Sequence, residues 1–118
     1  ALIGSLPSTA KTFGDARLIA TEVELDAGGM KDLAFRMREA NKDLLLVLGA
    51  RQDGKALLAV MVGDDLQQSR GLKATDVIKQ LSAEIQGGGG GQAFYATAGG
   101  KEPGGMANAL KKAEALLS

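Results

Sequence analysis

The chain has 118 residues, with 14 basic and 14 acidic side chains and no Cys, His or Trp. That length suits one domain, and the missing residue types exclude thiolate and imidazole metal sites, disulfides and every triad that needs a His base, while a hydrolase built on carboxylates stays open. Net charge is zero, distributed as +1 over residues 1–14, −2 over 15–43, 0 over 44–86 and +1 over 87–118, so whole-molecule attraction to nucleic acid or an anionic membrane is not expected and any such site must be a local patch.

Ala1 to Gly14, with Pro7 and two glycines but no sustained period, reads as a linker or the tail of an upstream helical segment. It lacks the charged-then-apolar layout of a signal peptide, and nowhere does the chain reach the roughly 18 consecutive apolar residues of a membrane span. The absence of Cys is compatible with a cytoplasmic location. Within Arg17–Leu25, Ile19, Thr21, Val23 and Leu25 recur at period two and predict a half-buried strand. Asp26 can cap the helix that follows, where Met30, Leu33, Ala34 and Met37 form one apolar stripe and Arg36 and Arg38 lie off it.

The apolar runs Leu44–Leu48 and Ala56–Val62 predict central strands covered on both faces, joined by a hairpin at Asp53-Gly54. Gly63 to Gly71 reads as a polar loop, and Val77, Ile78, Leu81 and Ile85 mark the buried face of a helix from about Lys73 to Gln86. Five consecutive glycines follow, Gly87 to Gly91, then Gln92 and a short strand over Ala93–Ala98. After Gly99-Gly100-Lys101, Pro103 marks the approach to a last helix with Met106, Ala109, Leu110, Ala113 and Leu117 on its apolar side. The result is a single small α/β domain over residues 15–118, β-α-β-β-α-β-α, with helices packed on a central sheet and a glycine-rich loop between a helix and a short strand.

The glycine run is what propensity does not explain. Each glycine costs roughly 0.5–1 kcal/mol relative to Ala in regular structure, so five persist only where the backbone must come close to something or adopt several positive φ angles. Two readings stand: a packed or flexible connection, or consecutive bare amides forming a concave donor surface for phosphate or carboxylate. A Walker loop is excluded because Gln92 follows Gly91, and a dinucleotide fingerprint because the run follows a helix. Gly99 and Gly100 could face the run across one groove, with Lys101 neutralising a phosphate and Gln92 or Thr97 supplying neutral hydrogen bonds; a plain solvated lysine is the competing reading. Phe94 and Tyr95 should point to opposite sides of their strand, so that at most one is core. A buried Tyr95 with a hydrogen-bonded hydroxyl is favoured over a base-stacking one. Asp64 and Asp65 read as turn or cap residues, Ser69 has no His, and no catalytic or metal-binding residue is nominated. Lys111 and Lys112 read as solvated, or with Lys101, Arg51 and Lys55 as a phosphate-facing patch.

From Ala83 to Lys101 the sequence AEIQGGGGGQAFYATAGGK closely resembles the signature of the DHHA1 family, in the form that closes alanyl-tRNA synthetases. Leu18–Val23 is similar to that family's first strand, Leu46–Gly49 and Lys55–Val60 to its hairpin, and Arg70–Ala74 to the entry of its glycine-preceding helix. The resemblance covers about residues 16–118. It implies a non-catalytic fragment of an ATP-dependent alanine–tRNA ligase of the cytoplasm, binding the elbow of tRNA(Ala) and helping bring aminoacylation and editing domains onto one tRNA. The RNA-binding residues would be Gly87, Gly88, Gly89, Gly90, Gly91, Gln92, Thr97, Gly99, Gly100 and Lys101. It further implies that ATP, Mg²⁺ and Zn²⁺ serve other domains of the parent, with no cofactor here. The partners would be tRNA(Ala), the remaining parent domains and a homodimer mate joined through the upstream helical segment, but no membrane.

The same family accompanies DHH-type phosphodiesterases, whose glycine loop is shorter and ends in His. Gln92 at that place favours the synthetase branch over an exonuclease accessory domain. A purely structural docking or dimerisation module is the third reading. On the synthetase reading Gly89→Val and Lys101→Glu should each weaken tRNA binding and spare the fold.

Overall fold

Residues 11–13, 16–23, 26–40, 42–52 and 54–117 are described by a computed structural model. The alternating segment after residue 15 forms β2 (Ala16–Glu22), preceded by a short β1 (Lys11–Phe13). Asp26 caps the next helix as expected: its Oδ1 accepts the Gly29 amide at 2.7 Å at the start of α1 (Ala27–Ala40). The two apolar runs form β3 (Leu44–Gln52) and β4 (Lys55–Val62), turned by Gly54 at φ 75°, where Asp53 lies outside the described residues. Then come α2 (Asp64–Arg70), α3 (Ala74–Ser82) with a tighter turn over Ala83–Ile85, β5 (Gly87–Gly91), β6 (Tyr95–Gly100), a 3-10 turn over Pro103–Gly105 and α4 (Met106–Leu117).

One six-stranded sheet results, ordered β1-β2-β3-β4-β6-β5. Only β2–β3 is parallel, with α1 as its crossover; every other pairing is antiparallel. The central position of β3 and β4 accounts for their unbroken apolar runs, since every residue from Leu44 to Ala50 is buried. An ion pair fixes the parallel register at its start: Arg17 Nη2 meets Asp43 Oδ1 at 2.7 Å while the Arg17 amide donates to the Asp43 carbonyl. The guanidinium hydrogen bonds hold the Asp43 carboxyl below its ordinary value.

Two cores flank the sheet. On one face Met30, Leu33, Ala34 and Met37 of α1 pack on Ile19, Leu46, Leu48, Ala59 and Met61. On the other, α2, α3 and α4 bury Leu66, Val77, Ile78, Leu81, Met106, Ala109 and Ala113 against Leu45, Val47, Leu58, Val60, Ala96 and Ala98. The α1 and α3 stripes are thus the ones that periodicity predicts, as is the α4 stripe through Met106, Ala109 and Ala113, with Leu110 half-buried and the Leu117 side chain outside the described residues.

Three elements differ from expectation. Gly63 to Gly71 is not a loop: α2 starts with Asp64 and Asp65 in its first turn and ends on Gly71 at φ 62°. Acidic residues at a helix N-terminus offset its partial positive charge, and Leu66 is its only buried residue, too weak a periodic signal for seven residues. Lys11–Phe13, read as linker, pairs with Ala16–Leu18 as an edge strand.

The third difference is the most consequential. The five glycines are not a loop but β5, the edge strand of the sheet, in register with β6 from Gly87↔Gly100 to Gly91↔Ala96. Glycine's low strand propensity is overcome here by a tight two-residue hairpin, in which Gln92 and Tyr95 exchange both backbone hydrogen bonds.

Candidate nucleic-acid interface

The two sheet faces are covered unequally. Helices α2 to α4 lie beneath one face, whereas α1 on the other packs on β3 and β4 and stops short of the β5 edge. Thr97 and Gly99 of β6, and all five residues of β5, are therefore exposed. A cavity of about 280 Å³ lies over this uncovered part, with Gly88, Gly90, Thr97 and Gly99 as floor and Met30, Leu57 and Tyr95 as the wall toward α1. A depression of about 180 Å³ adjoins it at the hairpin end, lined by Lys31, Phe35, Gln92 and Phe94. One of about 410 Å³ adjoins it at the other end, lined by Lys55, Gln86, Gly87 and Lys101.

The three form one trough with a lysine at the hairpin end and two at the opposite end. Among the described residues, no carboxylate lines any of the three depressions. Among the described residues, none of these lysines pairs with a carboxylate either. A chain of zero net charge thus carries a locally basic, largely apolar trough.

The glycines divide into two sets. A Cβ on Gly87, Gly89 or Gly91 would sit 2.1, 1.9 or 2.4 Å from the carbonyl oxygen of Gly99, Thr97 or Tyr95, so the close approach of β5 to β6 demands glycine there. Gly88 and Gly90 are different: a Cβ at either would meet nothing within 4 Å, and neither takes a positive φ. Neither packing nor backbone conformation requires glycine at these two positions, which are the two β5 residues opposite Gly99 and Thr97 on the trough floor. Their bareness keeps a flat backbone surface open to close approach.

The structure brings most of the sequence-nominated residues together. Gly87 to Gly91, Gln92, Thr97, Gly99 and Lys101 all border the trough, with Gln92 and Lys101 at opposite ends. Gly99 and Gly100 do not face the run across a groove, because β6 lies beside β5 in the same sheet. Gly100 is buried, and a Cβ on it would lie 2.2 Å from the Ile85 carbonyl oxygen, so packing explains that glycine. The wider basic patch does not assemble. Lys112 pairs with Glu84 at 3.6 Å and donates to the Gln80 carbonyl on the opposite face, and Arg51 pairs with Glu22 at 2.6 Å.

Phe94 and Tyr95 also differ from expectation. Phe94 lies in the hairpin turn rather than in the strand, so alternation does not separate the two rings, and both pack toward α1. Phe35 meets Tyr95 edge-on at 5.3 Å and Phe94 at 5.9 Å, while the Arg38 guanidinium lies 4.4 Å over the Phe94 ring and pairs with Asp64. Phe35, at 36% the one large apolar side chain exposed among the described residues, and Lys31 one turn before it are trough residues that the periodic reading passed over. The available signal was an aromatic beside, not in, the Met30–Met37 stripe, with a lysine at i−4.

The Tyr95 hydroxyl is buried without a hydrogen-bond partner, contrary to the bonded hydroxyl expected, and burial raises its pKa. An unbonded buried hydroxyl costs about 1–3 kcal/mol. Tyr95→Phe is therefore expected to stabilise the chain by about 0.5–1 kcal/mol in urea unfolding at neutral pH. As pH climbs past the ordinary value of 10.0, the unfolded chain ionises first, so wild type should lose stability that Tyr95→Phe keeps.

Comparison with known proteins agrees with the architecture. The DHHA1 domain family profile matches residues 15–118. Alanine–tRNA ligase of Christiangramia forsetii is 43% identical over 98% of this chain and 13% of its own length; that of Cytophaga hutchinsonii is 42% identical over 99% and 14%. The chain thus spans about an eighth of these curated relatives. The crystal structure of the C-Ala domain from Aquifex aeolicus alanyl-tRNA synthetase superimposes with a TM-score of 0.83 at 26% identity, covering 93% of this chain and 98% of that one. A DHH-domain protein described as a member of the s1p family of ribosomal proteins shares the fold alone, with TM-score 0.57 at 11% identity. The chain belongs to the DHHA1 domain family, in the branch that alanyl-tRNA synthetases carry.

Proposed function

We propose that this chain is the RNA-binding appendage of an alanine–tRNA ligase and that the β5–β6 trough receives the elbow of tRNA(Ala). On this reading the appendage helps bring aminoacylation and editing domains onto one tRNA in the cytoplasm, and ATP, Mg²⁺ and Zn²⁺ serve the parent's other domains. The observation that carries it is the pair Gly88 and Gly90, bare without internal cause on the floor of a trough whose charged side chains, among the described residues, are lysines. A flat glycine surface lets exposed loop bases or riboses lie against the backbone, while Lys31 at one end and Lys55 and Lys101 at the other reach phosphates. Phe35 and Phe94 at the hairpin end give a base an aromatic edge to rest on.

The test is a low-salt filter-binding titration of tRNA(Ala) against a single strand of equal length. Folded tRNA should bind more tightly. Because three lysines border the trough among the described residues, the slope of log K against log[salt] should correspond to two to four phosphates, about −1.5 to −3.5. Equal affinity for the single strand would favour an exonuclease-type accessory domain, and no binding to either would leave a structural module.

A further inference from the structure

Among the described residues the outer edge of β5 has no partner strand, and the register identifies which backbone groups it presents. Gln92 and Tyr95 form a hydrogen-bonded pair, each amide donating to the other's carbonyl at 2.8 and 3.3 Å. Such pairs alternate with non-bonded ones along an antiparallel ladder. Gly90↔Thr97 and Gly88↔Gly99 are therefore the bonded pairs, and Gly91↔Ala96, Gly89↔Ala98 and Gly87↔Gly100 the non-bonded ones. Each of Gly87, Gly89 and Gly91 consequently turns one amide donor and one carbonyl acceptor to the free edge. Natural edges are commonly guarded by Lys, Pro or a bulge. From Gln86 to Gln92 this edge has neither charge nor proline, and its register with β6 runs unbroken. With no side chain on any residue of β5, a ligand wider than a peptide strand can come alongside in the plane of the sheet.

We propose, resting on the reading of the adjoining trough as an RNA site, that this edge reads the ribose–phosphate backbone of one strand and tells RNA from DNA. The outward amides of Gly87, Gly89 and Gly91 donate to phosphate oxygens, and their outward carbonyls accept 2′-hydroxyls. Three features select this occupant. Two residues of strand advance about 6.8 Å, close to the advance of one nucleotide in an extended strand, so each outward glycine meets one nucleotide. The bare carbonyls repel a ligand that offers acceptors alone. The sugar–phosphate chain of DNA is such a ligand, whereas RNA adds one hydroxyl donor per nucleotide. Lysines stand at both ends of the edge: Lys55 and Lys101 share a depression with Gly87, and Lys31 shares one with Gly91. A peptide strand offers the same alternation of donors and acceptors, but five glycines give no side-chain pockets to select one, and the lysines favour a polyanion.

Amide exchange and carbonyl shifts of the 118-residue chain by NMR, with and without tRNA(Ala), test this. In the free chain the amides of Gly88 and Gly90 should be protected and those of Gly87, Gly89 and Gly91 should exchange freely. On addition of tRNA(Ala) the odd-numbered amides should gain protection and their carbonyl resonances should move. A transcript with 2′-fluoro in place of 2′-hydroxyl at the elbow riboses keeps the sugar pucker and loses the donor. It should bind at least about fivefold more weakly in filter titrations, by a factor that salt leaves unchanged. It should still protect the amides but no longer move the carbonyls. Gln86→Glu with Gln92→Glu, at two exposed positions flanking the edge, should weaken both transcripts in a salt-sensitive way and leave their ratio unchanged. Bound tRNA(Ala) that leaves the odd-numbered amides unprotected overturns the proposal while the trough reading stands, and so does equal affinity for the fluorinated transcript. Protection of those amides by polyglutamate but not by tRNA(Ala) overturns it in favour of a peptide partner. No binding of tRNA(Ala) at all overturns both readings.

Discussion

Gly89→Ala is expected to lower the stability of the chain by roughly 2–4 kcal/mol, whereas Gly90→Ala, one residue on, should leave it unchanged or raise it by about 0.5 kcal/mol. The contrast isolates the reason for each glycine. The new carbon at position 89 would lie 1.9 Å from the Thr97 carbonyl oxygen and 2.6 Å from the Ala98 Cα, and both are backbone atoms of a strand also paired to β4. Neither can yield without unzipping one side of β6. At position 90 the new carbon has open space, and removing a glycine lowers the entropy of the unfolded chain. Thermal melts should separate the two variants by about 10–15 °C. Equal melting temperatures would mean that β5 does not lie against β6 as described. The same geometry corrects the expectation that Gly89→Val spares the fold: loss of RNA binding by that variant would report unfolding.

Most of the architecture was legible in the sequence because its signals are periodic. The α1 stripe, the α3 stripe and the two central strands bury the residues that spacing nominated; of the α4 stripe Met106, Ala109 and Ala113 are buried and Leu110 is half-buried, while the Leu117 side chain lies outside the described residues. What was not legible was whatever periodicity cannot encode. A pentaglycine has no side chains to alternate, so its strand state is set from outside, by the hairpin at Gln92–Tyr95 and by the β6 backbone beside it. Helix α2 buries one residue in seven and leaves no stripe. The trough residues show the same division. Gln92, Thr97 and Lys101 stood next to the glycines in the chain and could be nominated. Lys31 and Phe35 reach the site from α1, some sixty residues earlier in the chain, and only the fold brings them there. Separating Gly100, buried on Ile85, from Gly88 and Gly90 likewise required knowing what lies on each side of the sheet.

The double variant Gly88→Val/Gly90→Val should reduce affinity for tRNA(Ala) at least about tenfold while leaving the melting temperature within a few degrees of wild type. Both side chains would rise from the floor into open space, and β-branched residues suit an extended strand, so the fold has no reason to fail. A ligand resting on the backbone would be lifted by a side chain's height and lose its floor contacts together, a cost near the 1.4 kcal/mol that makes a factor of ten. Lys101→Glu should also weaken binding, but by a different route: the loss should shrink as salt is raised, because the contact is to phosphate. The valine pair removes shape, so its loss should persist at every salt concentration. If both variants lose affinity with the same salt dependence, the trough attracts RNA by charge alone and the bare glycines have no part in recognition. If neither does, the RNA lies elsewhere on the domain, and the absence of side chains at Gly88 and Gly90 must serve another partner.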